Sequence, residues 1–204
     1  MKITYCSVIL LDIANLLNKE VCKFENNVIH YKKIYFVDLN TQNLQKIQAS
    51  ISKLNQRRDS IMIRHFKPES LPIVNEILRQ NKGIQVISHF KNNIKCNIIH
   101  TASSAIKRGF AKYSLSFHGM QDIARLKKFQ YEMVFLSPVF ETQTHQSVKP
   151  LGLLHTFKMG FIIKKQAPNC KIYLLGGINE RRFLHIKKLD FTDIFSGYGF
   201  IRGW

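Results

Sequence analysis

Acidic residues are scarce in this sequence: 13 Asp and Glu stand against 31 Lys and Arg, a net charge of +18. Such an imbalance often accompanies binding to nucleic acid or to an anionic membrane. The arrangement speaks against nucleic acid as the main partner. The basic residues come in scattered pairs (Lys32-Lys33, Arg57-Arg58, Lys127-Lys128, Lys164-Lys165, Arg181-Arg182, Lys187-Lys188), with no long basic arm and no aromatic-rich RNA-binding signature. The four cysteines, Cys6, Cys22, Cys96 and Cys170, contain no C-x-x-C pair, which leaves no zinc ribbon or redox motif in view. Isolated cysteines in apolar runs act as small core residues, and a reducing compartment is the natural setting. No apolar run is long enough to span a membrane. The apolar stretch 3–11 follows a single Lys, ends at Asp12 and has no small-residue cleavage site after it, so it does not read as a signal peptide. A soluble cytoplasmic protein without a membrane partner is expected; a homo-oligomer is compatible with all of this.

What the chain does have is a series of short, β-rich runs. With 204 residues, 45% of them hydrophobic, it can bury one sizeable core. The runs fall at 34–38 (IYFVD), 60–64 (SIMIR), 84–88 (IQVIS), 96–100 (CNIIH), 113–117 (YSLSF), 132–136 (EMVFL), 171–175 (KIYLL) and 193–197 (DIFSG). Several are continuously apolar, as strands of a parallel sheet are when both faces are covered. Between them, 43–54, 68–79, 119–129 and 179–189 carry apolar residues at helical spacing or a helix-start signal. Alternating strands and helices predict a closed parallel barrel or a doubly wound sheet. The expectation taken forward is an α/β fold, a (β/α)8 TIM barrel. It is short for a barrel of typically about 250 residues, so its helices must be short, above all in the middle. There, 89–95 and 101–112 leave no room for a full helix. Residues 1–33 read as an N-terminal extension and 34–204 as a single barrel domain.

In such barrels chemistry gathers at the C-terminal ends of the strands. The polar residues expected there are Asp38, Arg64, Ser88, His89, His100, Ser116, His118, Ser137, Thr142, Thr144, His145, Gly176, Gly177, Ser196 and Gly197. The sharpest local pattern is Leu175-Gly176-Gly177-Ile178-Asn179: a buried strand ends in two glycines and a helix begins at once. Glycines let a ligand approach the backbone, and a helix N-terminus offers N–H donors to an anion. Ser196-Gly197, read as the end of the last strand, would add a hydroxyl and further backbone donors. An ordinary glycine turn explains the same letters. The second pattern, Ser137-Pro138-Val139-Phe140-Glu141-Thr142-Gln143-Thr144-His145, offers two threonine hydroxyls and an imidazole that can hydrogen-bond phosphate oxygens, and taken alone it reads equally as a polar loop. The third is Arg64 followed by Lys67; a guanidinium facing a pocket suits an anion. The rim histidines come from separate strands and show no short ligand spacing, so no metal centre is expected from them.

Taken in order, "SLSFHGMQD", "MVFLSPVFETQTHQSVKPLGL" and "LLGGINERRFLHI" resemble the thiamine phosphate synthase and thiazole tautomerase family. The likeness spans residues 34 to about 200 and is strongest from Ser114 onward. It implies a (β/α)8 barrel that binds phosphorylated small molecules. A synthase member joins a pyrimidine methyl pyrophosphate to a thiazole phosphate and releases pyrophosphate. The resemblance implies that Arg64, Lys67, Ser116, Thr142 and Thr144 meet the pyrophosphate, with His100 and His118 at matching positions among the catalytic candidates; His89, at a strand end of its own, joins them from its place on the rim. It implies that Gly176, Gly177, Ser196 and Gly197 hold the thiazole phosphate, and that His145 stands where synthases carry Lys. It also implies magnesium, yet the Asn-Asp pair expected after strand three reads Ser88-His89. The loop after strand four, 101–104, holds no carboxylate. A tautomerase would need proton transfer alone, for which His89, His100, His118 and His145 are the candidates; a non-catalytic phosphate-binding paralogue is the remaining alternative.

Overall fold

In the computed structural model, residues 31–92, 94–101, 112–142, 148–190 and 192–201 are described. Eight strands close into a parallel barrel in sequence order. They are β1 (Lys32–Val37), β2 (Ser60–Ile63), β3 (Gln85–His89), β4 (Ile98–His100), β5 (Lys112–Phe117), β6 (Met133–Leu136), β7 (Lys171–Leu174) and β8 (Phe195–Phe200). Closure comes from the pairing of Lys32 with Gly197 and of Tyr35 with Phe200. The expected TIM barrel is therefore the observed fold.

Strand alternation divides the core into two layers. Ile34, Phe36, Met62, Ile87, Ile98, Met133, Phe135 and Tyr173 form one cluster, which fills the barrel. Their neighbours in sequence turn outward. Tyr35, Val37, Ile61 and Ile63 pack with Ile47, Ile51, Val74 and Ile77 of the first two helices. Leu115, Leu136 and Leu174 do the same with Met159, Ile163, Phe183 and Ile186 of the last two. Both faces of each strand are thus covered by apolar groups, which is why the strands read as unbroken apolar runs.

The helices are α1 (Leu44–Ile51), α2 (Leu71–Gln80), α3 (Ile123–Lys128), α4 (Gly152–Gln166) and α5 (Glu180–Leu189). Asn43 caps α1 by accepting from the Lys46 N–H, and Asn179 caps α5 by accepting from Arg182. Turns of 3-10 helix at Pro68–Ser70 and Met120–Asp122 lead into α2 and α3. A further 3-10 turn, Phe90–Asn92, is the helical element between β3 and β4 among the described residues. The connection from β3 to β4 is as thin as its length requires; of the short connection expected at 101–112, residues 102–111 lie outside the described residues.

Two differences from the sequence reading have clear causes. The longest helix, α4, was not among the expected helices. Its exposed side mixes Leu154, 83% exposed, and Phe161, 53% exposed, with His155, Lys158 and Lys165, so no clean apolar stripe marks it. The last strand is also displaced: it runs to Phe200 and does not end at Gly197. A register irregularity at Ile172/Tyr173 shifts β8 against β7. Ser196 and Gly197 are therefore the second and third residues of β8, beside Lys32 at the start of β1. They lie at the N-terminal rim, opposite the expected site. The strand end that reaches that site is Gly199-Phe200-Ile201.

Candidate functional site

All eight strands, or the segments that follow them, send residues into one cavity of about 840 Å³ at the C-terminal rim. β1 contributes Asp38 and Asn40 from just past its end, and β2 contributes Arg64 and His65. His89 and His100 close β3 and β4, while Ser116 and His118 come from β5 and the residue after it. The segments after β6, β7 and β8 add Ser137, Thr142, Gly176 and Ile201. A smaller adjoining space of about 290 Å³ lies between Thr142, Gly176, Gly177 and Gly199. It shares Phe36, Thr142, Leu175, Gly176 and Ile201 with the main cavity.

Arg64 is oriented by Asp38. Its Nη1 donates to Asp38 Oδ2 at 2.6 Å, and the carboxylate side chain is nearly buried. The other oxygen, Oδ1, accepts from the Asn40 N–H at 3.1 Å. Asn92 ties the next two strand ends together, donating to the carbonyl of Arg64 at 3.0 Å and to Ser88 Oγ at 3.0 Å. The cavity-lining guanidinium therefore stands on a braced loop rather than a solvated one.

The imidazoles are held differently. His100 Nδ1 lies 3.0 Å from Ser114 Oγ and its Nε2 lies 3.2 Å from Ser116 Oγ. Burial pushes its pKa down to about 4, and the nearby charges of His89 and His118 add to this. A neutral imidazole donates from one nitrogen and accepts at the other. It therefore couples the buried Ser114 hydroxyl to Ser116, which faces the cavity. His89 is also held below the ordinary imidazole range, first by burial and then by His65, Lys91 and Arg64. His118 Nδ1 lies 3.0 Å from the Ser137 carbonyl oxygen, which can only accept. Nδ1 thus carries the hydrogen, and Nε2 of the neutral ring is left able to act as a base.

The double glycine after β7 has a structural cause. Gly176 and Gly177 adopt φ of +86° and +63°. A side-chain carbon on Gly176 would come within 2.7 Å of Pro138 Cα, and one on Gly177 within 2.4 Å of the Glu141 carbonyl oxygen. The loop after β6 occupies the space they leave free. Val139 N donates to Leu175 O at 2.9 Å and Phe140 N to Gly176 O at 3.0 Å. The Ser137-Pro138 bond at the start of this loop is cis. The first and second sequence patterns are thus parts of one packed unit, with Thr142 at the junction of both cavities.

Of the sequence-derived candidates, Arg64, His89, His100, Ser116, His118, Thr142 and Gly176 line the main cavity, and Gly177 lines the smaller one. Lys67 does not line it; it is exposed and precedes the 3-10 turn at Pro68. Thr144 and His145 fall outside the described residues. His65 does not stand out in the sequence, where the run 60–64 ends on Arg64; β2 ends at Ile63, and both residues past it reach the cavity. Asn40 and the bracing Asn92 were missed too, since nothing in a loop's letters shows which way a side-chain amide turns.

Magnesium can be tested against these donors. It takes oxygen ligands, usually with one or two carboxylates. The carboxylate in the main cavity, Asp38, is already engaged by Arg64 and Asn40. Among the described residues, no three His, Cys, Asp or Glu are arranged to hold a metal ion. The donors present do not fit magnesium.

No family model matches the sequence, and no curated protein does either. The fold does find a solved counterpart. The chain is similar to the thiamine phosphate pyrophosphorylase from Pyrococcus furiosus, with a TM-score of 0.60 and 11% identity, over 84% of this chain and 85% of that one. At that identity the likeness concerns the fold. Among the described residues, no helix is long and apolar enough to cross a membrane.

Proposed function

We propose that this protein is a transferase of the thiamine phosphate synthase type, acting on phosphorylated small molecules. The observation that carries the reading is the convergence of Arg64, Ser116 and Thr142 on one cavity, in a barrel shared with a pyrophosphorylase. In such a reaction the thiazole nitrogen attacks the pyrimidine methylene carbon, and the carbon–oxygen bond to pyrophosphate breaks. The departing group gathers negative charge, which fixed donors stabilise most when they are positioned beforehand. Arg64, held by Asp38, supplies a fixed positive charge. Ser116, coupled to His100, and Thr142 supply hydroxyl donors. The smaller cavity beside Gly176 and Gly177 is the proposed seat of the thiazole phosphate, bounded by Gly199 and Ile201 where Ser196 and Gly197 had been expected.

The test is a mass-spectrometric endpoint assay for thiamine phosphate from both phosphorylated precursors. Product formed by the wild type and lost in Arg64→Ala supports the reading. No product from folded protein and intact substrates overturns it. One observation favours a second reading, a metal-free thiazole tautomerase: the donors do not fit magnesium, while His118 Nε2 is set up to accept a proton. Solvent deuterium entering a thiazole carboxylate phosphate would be its signature.

A further inference from the structure

The cavity carries a marked excess of cationic and cationisable groups. Arg64, His65, His89, His100 and His118 line it, against the carboxylate of Asp38. Ring centres of His65 and His89 are 5.6 Å apart, and those of His89 and His100 are 6.5 Å apart. Protonated imidazoles at that spacing repel one another, and an anion lying between them reverses the sign of the interaction. His100 takes no part, being neutral between Ser114 and Ser116. The other groups facing the His65–His89 pair can be traced element by element. Asp38 comes from the end of β1, Arg64 from β2, Lys91 from the turn after β3, and His118 from the end of β5. The segments after β6 and β7 contribute Ser137, Thr142 and Gly176 to the main cavity, none of them charged. Glu141 lines only the smaller space.

A diphosphate entering this cavity needs its charge offset. Magnesium commonly does this through carboxylates, and among the described residues the carboxylate lining this cavity, Asp38, is engaged by Arg64. We propose that the cavity binds a diphosphate without a divalent cation, with Arg64 as the fixed charge and the His65–His89 pair beside it, of which His89 takes up a proton when the anion arrives. The inference rests on the functional reading above for the kind of anion and changes how its charge is met. Binding is then linked to proton uptake, and affinity falls as pH rises through the imidazole range.

The test is titration calorimetry of the full chain with inorganic pyrophosphate. It is run with excess chelator or with magnesium, at about pH 6 and about pH 8, spanning the imidazole range. Wild type is compared with His65→Gln/His89→Gln, and each titration is repeated in buffers of different ionisation enthalpy to count protons. The expected result is binding that chelator leaves intact, with net proton uptake by the wild type. The ratio of wild-type to variant affinity, which cancels the ligand's own ionisation, should fall about tenfold between the two pH values. Should the double variant not fold, His89→Gln and the wild-type proton count decide the matter. Binding that appears only with magnesium, or an affinity ratio equal at both pH values, overturns the proposal. A magnesium requirement would leave the synthase reading standing, because that is judged by product and not by pyrophosphate affinity.

Discussion

Arg64 and Asp38 form a 2.6 Å ion pair between the ends of neighbouring strands, with the carboxylate nearly buried and the guanidinium 38% exposed at the cavity. The pair uses one arm of the fork and leaves the rest of it for a ligand. A lysine would keep the charge but not the planar geometry. Arg64→Lys is expected to weaken binding of inorganic pyrophosphate about tenfold, the loss of one charge-assisted hydrogen bond. Calorimetry at fixed pH measures this. Unchanged affinity would mean that Arg64 acts as a point charge only.

Gly177 sits where a side chain would meet both the Glu141 carbonyl oxygen and Phe140. Its φ of +63° adds backbone strain for any other residue. Gly177→Ala is expected to cost on the order of 2 kcal/mol or more in denaturant unfolding, through strain and forced displacement of the loop. Because that loop carries Thr142, pyrophosphate or phosphate affinity should fall with it. Wild-type stability in this variant would show that the loop moves aside freely.

The barrel was legible because its strands are short, apolar and separated by polar connections, and a parallel sheet covered on both faces leaves that trace. Seven of the eight strand positions follow from it within about two residues, the ordinary spread of assigned element ends. β8 was misplaced since Ser196-Gly197 has the letters of a turn, whereas the register shift against β7 that carries the strand past it is a property of the neighbour. α4 was hidden because Leu154 and Phe161 interrupt its exposed polar side. Arg64, His100 and Ser116 could be named because each ends or nearly ends a strand. The pairing of Arg64 with Asp38, the two serines on His100 and the space that Pro138 takes from Gly176 depend on contacts between segments far apart in the chain.

Lys187 is a buried charge with a structural task. Its Nζ donates to the Phe195 carbonyl at 2.8 Å, lies 3.6 Å from Asp190 Oδ2 and is paired with Asp193. Asp190 itself is buried and accepts the N–H groups of Ile194 and Phe195 at 2.9 and 2.8 Å, fixing the entry into β8. Lys187→Met would leave Asp190 without its positive partner. A loss of about 3 kcal/mol in unfolding free energy is expected, as for other broken buried pairs. Pyrophosphate affinity should stay near that of the wild type, because this network stands at the N-terminal end of β8. A change in affinity without a change in stability would contradict that division.

His100 makes the stability of the barrel depend on pH in a definite direction. In the folded protein burial lowers its pKa to about 4, whereas an unfolded chain has a histidine near 6.5. Between those values the unfolded state binds more protons than the folded one. The stabilising contribution is therefore complete above about pH 6.5 and declines as pH falls toward 4. The full difference corresponds to about 3 kcal/mol. His100→Gln keeps hydrogen-bonding groups between Ser114 and Ser116 but cannot titrate. Denaturant unfolding of both proteins at about pH 7.5 and about pH 4.5, on either side of the imidazole value, should show the wild type losing more stability on acidification than the variant. The variant would then gain on the wild type at the lower pH. Parallel losses in the two proteins would mean that His100 is already protonated in the fold. The coupling of Ser114 to Ser116 through a neutral ring would then have to be abandoned.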